Sequence, residues 1–327
     1  MNSRLILLAL ACAAALTACP TPPAPPSPDD KTAPTIVSLT PGNGAIGIAA
    51  DAKIVISFSE AMNKATTELA YQSSDMPSVT FTWSEGDTKL EIDPVNDLTY
   101  TPTGKNYDFK LKTAATDLAG NQLNEVSSTF KTFRQLSKTL ESSTTLDGDI
   151  RSDGEVNSPD CSTTLICIGD SNVVDNAQYK GYLSFNLASL ETDGLTTSDR
   201  IVFANLRVYQ SAVTDAPYTD LKLGSKALIV EHTSYGSSLT STDFNTDLLG
   251  AFPETGLSPA IDWKDFSGGR DFVRNDWDNR ATRGNRSQYL LYFAKATDGD
   301  GVADIARFNS SDSADHHPEL VVKFLVP

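Results

Sequence analysis

Histidine and cysteine are scarce in this chain, and their scarcity argues against several kinds of site. The 327 residues include three histidines and four cysteines. So few imidazole groups leave little provision for a general base of near-neutral pKa. Zinc sites are built from cysteine and histidine ligands, and no histidine lies near Cys161 or Cys167 in the sequence. A zinc site is therefore not expected. The histidines fall late in the chain, at His232, His316 and His317.

Basic residues are also few. Lysine and arginine number 26 against 42 acidic residues, which gives a formal net charge of -16. They form no cluster of the kind that attracts nucleic acid or anionic lipid headgroups. No nucleic-acid partner is therefore expected. The acidic excess fits solubility at a cell surface and also fits cation binding, and composition does not separate the two.

The short motifs of common enzymes are missing as well. The sequence contains no Gly-x-Ser-x-Gly, no His-Glu-x-x-His and no phosphate-binding glycine loop. We therefore predict that the protein is not an enzyme. The paired carboxylates of glycoside hydrolases are set by the fold and not by sequence spacing. An extracellular polysaccharide-acting enzyme accordingly stays as a third alternative.

The N-terminus is typical of exported proteins. A basic residue, Arg4, precedes an apolar stretch over Leu5 to Leu16, and small residues lead to Cys19. The stretch is too short to span a bilayer and matches a signal peptide. The run Leu16-Thr17-Ala18-Cys19 resembles the lipobox of bacterial lipoproteins. The resemblance implies that residues 1–18 are removed and that Cys19 is lipidated.

Two or three acyl chains would hold the mature protein on a membrane. We therefore expect a lipid-anchored, extracytoplasmic protein of the bacterial cell envelope, at the outer membrane or cell surface. The alternative is an ordinary secretory signal that happens to contain a cysteine. Residues 19–33 are rich in proline and lack apolar periodicity, which predicts a semi-rigid linker.

The remaining cysteines predict a disulfide. Cys12 leaves with the signal peptide and Cys19 carries lipid, so Cys161 and Cys167 are the only free pair. Outside the cytoplasm such a pair is expected to oxidise. The bridge would close a small loop and stabilise the fold by roughly 2 kcal/mol in the chain-entropy model.

The residues from 34 to 133 read as β-structure. Short alternating or apolar runs are separated by turn residues, which predicts an antiparallel sandwich. Three pieces, Pro41 to Ala45, Phe58 to Met62 and Asp117 to Leu123, resemble the bacterial Ig-like domains of surface proteins. The resemblance implies an Ig-like β-sandwich over 34–133 that acts as a spacer or adhesion module.

Glu60, Asp117 and Asn121 could form a polar site within this domain. A local explanation is favoured, because Asp and Asn suit a tight turn through their side-chain hydrogen bonds. Glu60 is expected at the end of a strand.

Residues 134–327 also predict strands, now separated by longer loops rich in Ser, Thr, Asp and Gly. We expect an all-β protein in which the Ig-like sandwich is followed by a larger, jelly-roll-like β-sandwich. The pattern resembles DNRLRE-type domains, which are related to carbohydrate-binding modules. The matching pieces are Lys180 to Leu187, Ala204 to Tyr209, Val273 with Trp277, Phe308 to Asp312 and Pro318 to Phe324.

We expect different environments for two tryptophans of this region. Trp263 lies beside a loop and is a candidate for stacking on a sugar ring, with packing in the core as the alternative. Val273 and Trp277 are four residues apart, as on one face of a short helical turn. Trp277 is therefore expected in the core.

One acidic loop is a candidate calcium site. Asp298, Asp300 and Asp304 have the spacing of short calcium loops, and calcium prefers several closely placed oxygens. The alternative is an ordinary acidic hairpin turn, because Asp-Gly also favours hairpins.

Together these features predict a lipid-anchored envelope recognition protein. Its C-terminal sandwich would bind an extracellular or envelope carbohydrate, and the Ig-like domain would be a spacer. The main alternative is a structural or adhesive surface protein without a small ligand.

Overall fold

The computed structural model describes residues 30–172, 176–253 and 258–327. The predicted signal peptide, Cys19 and most of the predicted linker lie outside the described residues. Strands dominate the rest, so the all-β prediction is confirmed. Within the described ranges, the helices are too short and too polar for any of them to cross a membrane.

The chain divides into two compact units. The first comprises the described residues up to Ala45, together with Asp51–Leu98 and Asn106–Phe130. The second comprises Ile46–Ala50, Thr99–Lys105 and Lys131–Pro327. The final crossing of the chain from the first unit to the second follows Phe130. This position is three residues before the domain boundary that the sequence predicts after residue 133.

The described residues up to 132 form two four-stranded sheets. Their strand orders are β1-β3-β6-β5 and β2-β8-β7-β4. Side chains alternate, so Ile54, Ile56 and Phe58 are buried while the residues between them are half-buried. The elements are β1 (Ile36–Thr40), β2 (Ala45–Ile48), β3 (Ile54–Phe58), α1 (Lys64–Leu69), β4 (Tyr71–Gln72), β5 (Val79–Ser84), β6 (Lys89–Pro94), β7 (Asn106–Leu111) and β8 (Val126–Thr132).

The second unit contains a hydrogen-bonded system of eleven strands. Its main path is β15-β14-β17-β12-β11-β18-β13-β19-β9, with β10 paired to β12 and β16 paired to β13. The elements are β9 (Arg134–Glu141), β10 (Gly148–Arg151), β11 (Leu165–Ser171), β12 (Ala177–Asn186), α2 (Ala188–Thr192), β13 (Ile201–Thr214), α3 (Pro217–Asp220), β14 (Leu228–Thr233), β15 (Leu248–Ala251), β16 (Trp263–Ser267), α4 (Arg270–Asp278), β17 (Arg286–Phe293), β18 (Ile305–Asn309) and β19 (Glu319–Val326).

The long strand β13 belongs to both layers of this sandwich. Its first part pairs with β19 and β16, and its last part pairs with β18. The register of the pairing with β18 shifts between Gln210 and Ala212. One core cluster contains side chains from both layers, for example Leu206 on β13 and Leu291 on β17. The layers therefore pack face to face, as in a β-sandwich.

Helix α4 closes one part of this core. Val273 and Trp277, four residues apart, are both buried in the cluster, which confirms the predicted core role of Trp277. A side chain at position i covers the same helix face as the one at i+4. The indole nitrogen of Trp277 has no hydrogen-bond partner among the described residues.

Candidate functional site

An acidic group lies where β11 ends beside the start of β18. The two strands are antiparallel, and Gly169 pairs with Ile305. Asp170 and Asp304 therefore become neighbours. The backbone N–H of Asp304 donates to Asp170 Oδ1 at 3.0 Å, and the N–H of Asp170 donates to the carbonyl of Asp304 at 3.0 Å.

Glycine is required at position 169 for this approach. Its φ is +137°, and a Cβ there would lie 1.9 Å from the carbonyl oxygen of Asp304. Only a residue without a side chain permits such close backbone contact and such a φ. Gly169 thus sets the distance between the two aspartates.

Asp298 completes the group. One carboxylate oxygen from each of Asp170, Asp298 and Asp304 lies within 4.8 Å of the others. Asp300 is not part of this group within the described residues. It is exposed, and its Oδ1 accepts the N–H of Val302 at 2.7 Å. The structure thus brings together two of the three aspartates that the sequence predicts as calcium ligands, Asp298 and Asp304, and adds Asp170.

The environment of the group disfavours negative charge. Burial raises the pKa of the Asp304 carboxyl above its usual value, a hydrogen bond from the N–H of Ala216 opposes this, and the nearby Asp170 raises it further. Asp170 itself is fully buried. Its Oδ1 is hydrogen-bonded, but its Oδ2 has no hydrogen-bond partner in the part of the chain that the structure describes.

A polar groove crosses the neighbouring strands β12, β17 and β14. It has a volume of about 400 Å³, and Gln178, Asn245 and Thr246 lie among its lining residues. Lys180 and Tyr292 face it from adjacent strands. These side chains alternate with core residues along each strand, which is why the groove lies on the face opposite the core.

Contacts within the groove fix its charged groups. Lys180 Nζ donates to the carbonyl of Phe244 at 2.9 Å and lies 4.2 Å above the ring of Phe244. Burial lowers the pKa of Lys180, and Glu231 opposes that effect. The hydroxyl of Tyr292 donates to Glu231 Oε2 at 2.9 Å. The groove thus holds an ammonium group and a carboxylate in fixed positions beside an aromatic ring.

Trp263 belongs to a separate aromatic patch on β13 and β16. Its half-exposed ring makes edge contacts with Tyr209 and His316, at centroid distances of 5.6 and 5.7 Å. The guanidinium of Arg207 lies 4.4 Å above it and also pairs with Asp265. The ring is therefore at the surface and not in the core, although Arg207 covers one face.

The predicted disulfide is present. Cys161 and Cys167 are bonded, with their Cα atoms 5.9 Å apart. Asp149 lies beside the bridge, and its carboxylate accepts N–H bonds from Cys167 and Ser158, each at 3.3 Å. Burial raises the pKa of Asp149 to about 7. Because both sulfurs are in the disulfide, neither is a thiolate ligand for a metal.

A second acidic group lies in the N-terminal unit. Oxygens of Asp30, Glu60 and Asp117 are within 4.8 Å of one another. Both oxygens of the buried Asp117 accept bonds from Asn121, one from its backbone N–H and one from its side-chain amide, each at 2.8 Å. The predicted tight turn at Asp117 and Asn121 is confirmed.

Sequence reasoning missed Asp170, Lys180 and Tyr292. Asp170 follows the apolar run Leu165 to Ile168 near the end of β11, and nothing near it in sequence marks it as a ligand. Lys180 and Tyr292 do have a signal, because each occupies the outward position of an alternating strand. That signal identifies a face of the sheet but not a groove.

Comparison with known proteins identifies the N-terminal part. A family model described as a bacterial Ig-like domain matches residues 30–132. No curated protein matches the chain.

Several solved structures are similar to parts of the chain. PcoC, a methionine-rich copper resistance protein from Escherichia coli, has 15% identity over 31% of this chain and 99% of its own, with a TM-score of 0.24. A SusE-like protein, BT2857, has 11% identity over 89% of this chain and 96% of its own, with a TM-score of 0.25. The N-terminal part of the bacterial S-layer protein SbsC has 12% identity over 47% of this chain and 40% of its own, with a TM-score of 0.24. At these TM-scores the likeness gives no guide to function, whereas the family match supports a bacterial Ig-like domain at residues 30–132.

Proposed function

We propose that this protein is a lipid-anchored recognition protein of the bacterial cell envelope that binds carbohydrate through its C-terminal unit. The observation that carries the proposal is the polar groove on β12, β17 and β14. The Ig-like domain would act as a spacer between the membrane and that unit, which the match to bacterial Ig-like domains supports.

The chemistry of the groove suits a hydroxylated ligand. Ligand sites are concave and combine apolar surface with a few well-placed polar groups. Lys180 can donate to sugar hydroxyls, Glu231 can accept from them, and the amides of Gln178 and Asn245 can do both. Tyr292 adds an aromatic ring whose apolar surface can contact a sugar.

The aromatic patch at Trp263 is the competing carbohydrate surface. It offers Trp263, Tyr209 and His316 close together, with Arg207 beside them. It lies on the sheet surface, whereas the groove is concave and would remove more of a ligand from water. We therefore rank the groove first and Trp263 second.

A glycan array on the full chain tests the proposal. Specific binding that falls at least tenfold in Lys180→Met and stays unchanged in Trp263→Ala would assign the ligand to the groove. The opposite pattern would assign it to the patch at Trp263. Phe203→Ala is the matched control, because Phe203 on β13 is likewise an aromatic residue at the surface, 36% accessible, with a cation, Lys323, 5.1 Å above its ring.

A blank array with folded protein would overturn carbohydrate binding and favour the structural or adhesive alternative. Cleavage of a bound glycan would favour the enzyme alternative instead.

The lipid anchor has its own test. Cys19→Ser removes the thiol that the signal-peptide motif presents for acylation. The variant is expected to leave the detergent phase, in which the acylated protein partitions, and to be unprocessed or released from the membrane fraction. Unchanged detergent-phase partitioning would contradict the lipoprotein proposal.

A further inference from the structure

We propose that Asp170, Asp298 and Asp304 bind one calcium ion, which joins the end of β11 to the loop before β18. This site is independent of the carbohydrate proposal, since it uses none of the groove or patch residues. Its ligand set also differs from that nominated by the sequence, because Asp170 takes the place of Asp300.

The unpaired oxygen of Asp170 is the decisive observation. Buried polar atoms in folded proteins nearly always have a hydrogen-bond partner or an ion. Asp170 Oδ2 has no hydrogen-bond partner among the described residues, although its side chain is completely buried. A carboxylate in this position needs a positive charge close by, and two further carboxylates lie next to it instead.

A cation resolves both the missing partner and the repulsion. The three carboxylates carry up to three negative charges within 4.8 Å, and a divalent ion between them would turn that repulsion into attraction. Asp298 is only half-buried, so water can supply the remaining ligands from that side.

Calcium fits the oxygens better than other common ions. All three groups are hard carboxylate oxygens, which disfavours copper and zinc. Magnesium keeps several waters and is usually bound by one or two carboxylates, whereas calcium accepts several carboxylates in a flexible shell. The three carboxylate oxygens of this group lie within 4.8 Å of one another, so all three can bind one calcium ion.

The experiment compares thermal unfolding of the full chain in millimolar calcium and in chelator. Calcium should raise the melting temperature of the C-terminal transition by roughly 5 °C, and titration calorimetry should give one ion per chain. Equal melting in the two buffers would overturn the proposal. Magnesium in place of calcium should give the smaller shift.

Asp170→Asn is the informative variant. Asparagine keeps the oxygen that accepts the N–H of Asp304 but removes the unpaired charge. The variant should lose the calcium shift, and in chelator it should melt at or above the temperature of the wild type. A merely structural Asp170 would give a lower melting temperature in both buffers, and that result would overturn the proposal.

Asp300→Asn is the matched control in the same loop. It keeps the oxygen that accepts from Val302 and should retain the whole calcium shift. If Asp170→Asn fails to fold, Asp298→Asn is the deciding test. Asp298 is only half-buried, so this variant should fold and should lose the calcium-dependent rise in melting temperature. Loss of the shift in Asp300→Asn with its retention in Asp298→Asn would contradict the proposed ligand set.

Discussion

The two acidic groups, one in each unit, each contain three carboxylates, and they differ in whether a buried aspartate, Asp117 or Asp170, has hydrogen-bond partners for both of its oxygens. In the N-terminal unit, both oxygens of Asp117 accept hydrogen bonds from Asn121. In the C-terminal unit, one oxygen of Asp170 has no hydrogen-bond partner among the described residues. The same number of acids therefore forms a hydrogen-bonded turn in one place and leaves a buried oxygen unpaired, at the proposed calcium site, in the other.

A count of carboxylates therefore does not identify a cation site. Burial and the nearby Asp117 and Asp30 raise the pKa of Glu60, just as burial and Asp170 raise that of Asp304. Mutual repulsion is thus common to both groups. What separates them is a buried oxygen that local hydrogen bonds leave unsatisfied.

Gly169→Ala should have the largest effect on stability, because it disrupts the acidic group of Asp170, Asp298 and Asp304. The new Cβ would overlap the carbonyl of Asp304 at a φ of +137°. The expected loss is about 3 kcal/mol of unfolding free energy, together with the calcium response, because Asp304 is displaced.

Gly299→Ala is the control in the neighbouring loop. It also has a positive φ, but no atom lies within 4 Å of its would-be Cβ. Denaturant unfolding should show a loss of only about 1 kcal/mol, with the calcium shift retained. Equal losses in the two variants would mean that the close contact at Gly169 has no energetic role.

Asp117→Ala tests the acidic group of the N-terminal unit, formed by Asp30, Glu60 and Asp117. It removes the acceptor of the Asn121 backbone N–H in a part-buried turn, which should lower the stability of the N-terminal transition by about 2 kcal/mol. The loss should be identical in calcium and in chelator, as measured by scanning calorimetry. A loss that appears only in calcium would make this group a cation site as well, and the two groups would then not differ in cation binding.

Asp149 adds a third way to accommodate a buried carboxylate, namely protonation. Its folded pKa is about 7, above the value near 4 of an unfolded chain. The stability from this proton is complete below about pH 4 and is lost as the pH rises through 7, by roughly 1.4 kcal/mol per pH unit. Asp149→Asn should flatten that slope in urea titrations at pH 5, 6 and 7, and an unchanged slope would contradict the assignment.

Glu60→Gln should have the smallest effect. The half-buried Glu60 loses its charge but little packing, so the stability should change by less than about 0.5 kcal/mol. Melting in calcium and in chelator should stay the same as for the wild type. A calcium shift of the N-terminal transition that this substitution abolishes would contradict the contrast between the two groups.

Features that depend on nearby residues could be predicted from the sequence. The strand at Lys180 to Leu187 follows from alternation, the turn at Asp117 and Asn121 from side-chain capping, and the burial of Trp277 from its spacing to Val273. Each needs only the local backbone geometry of a strand, turn or helix.

Features that depend on strand pairing could not be predicted from the sequence. Asp170 meets Asp304 only because β11 pairs with β18 across more than a hundred residues of chain. The groove likewise needs β12, β17 and β14 side by side, an order that is far from their order in the sequence. Alternation gives the face of each strand but not its neighbours.

The pairing of β9 with β19 determines how the C-terminal unit would respond to a pulling force. Arg134, at the start of β9, pairs with Val326 at the end of β19, and Arg134 also donates to the carbonyl of Pro327 at 3.0 Å. A force applied at these two points acts on the same end of an antiparallel pair. Because the hydrogen bonds of that pair lie perpendicular to the strands, they would open one after another rather than share the load. The unit would therefore yield at low force by unzipping from its ends, while the interior strands around β12 keep their pairing.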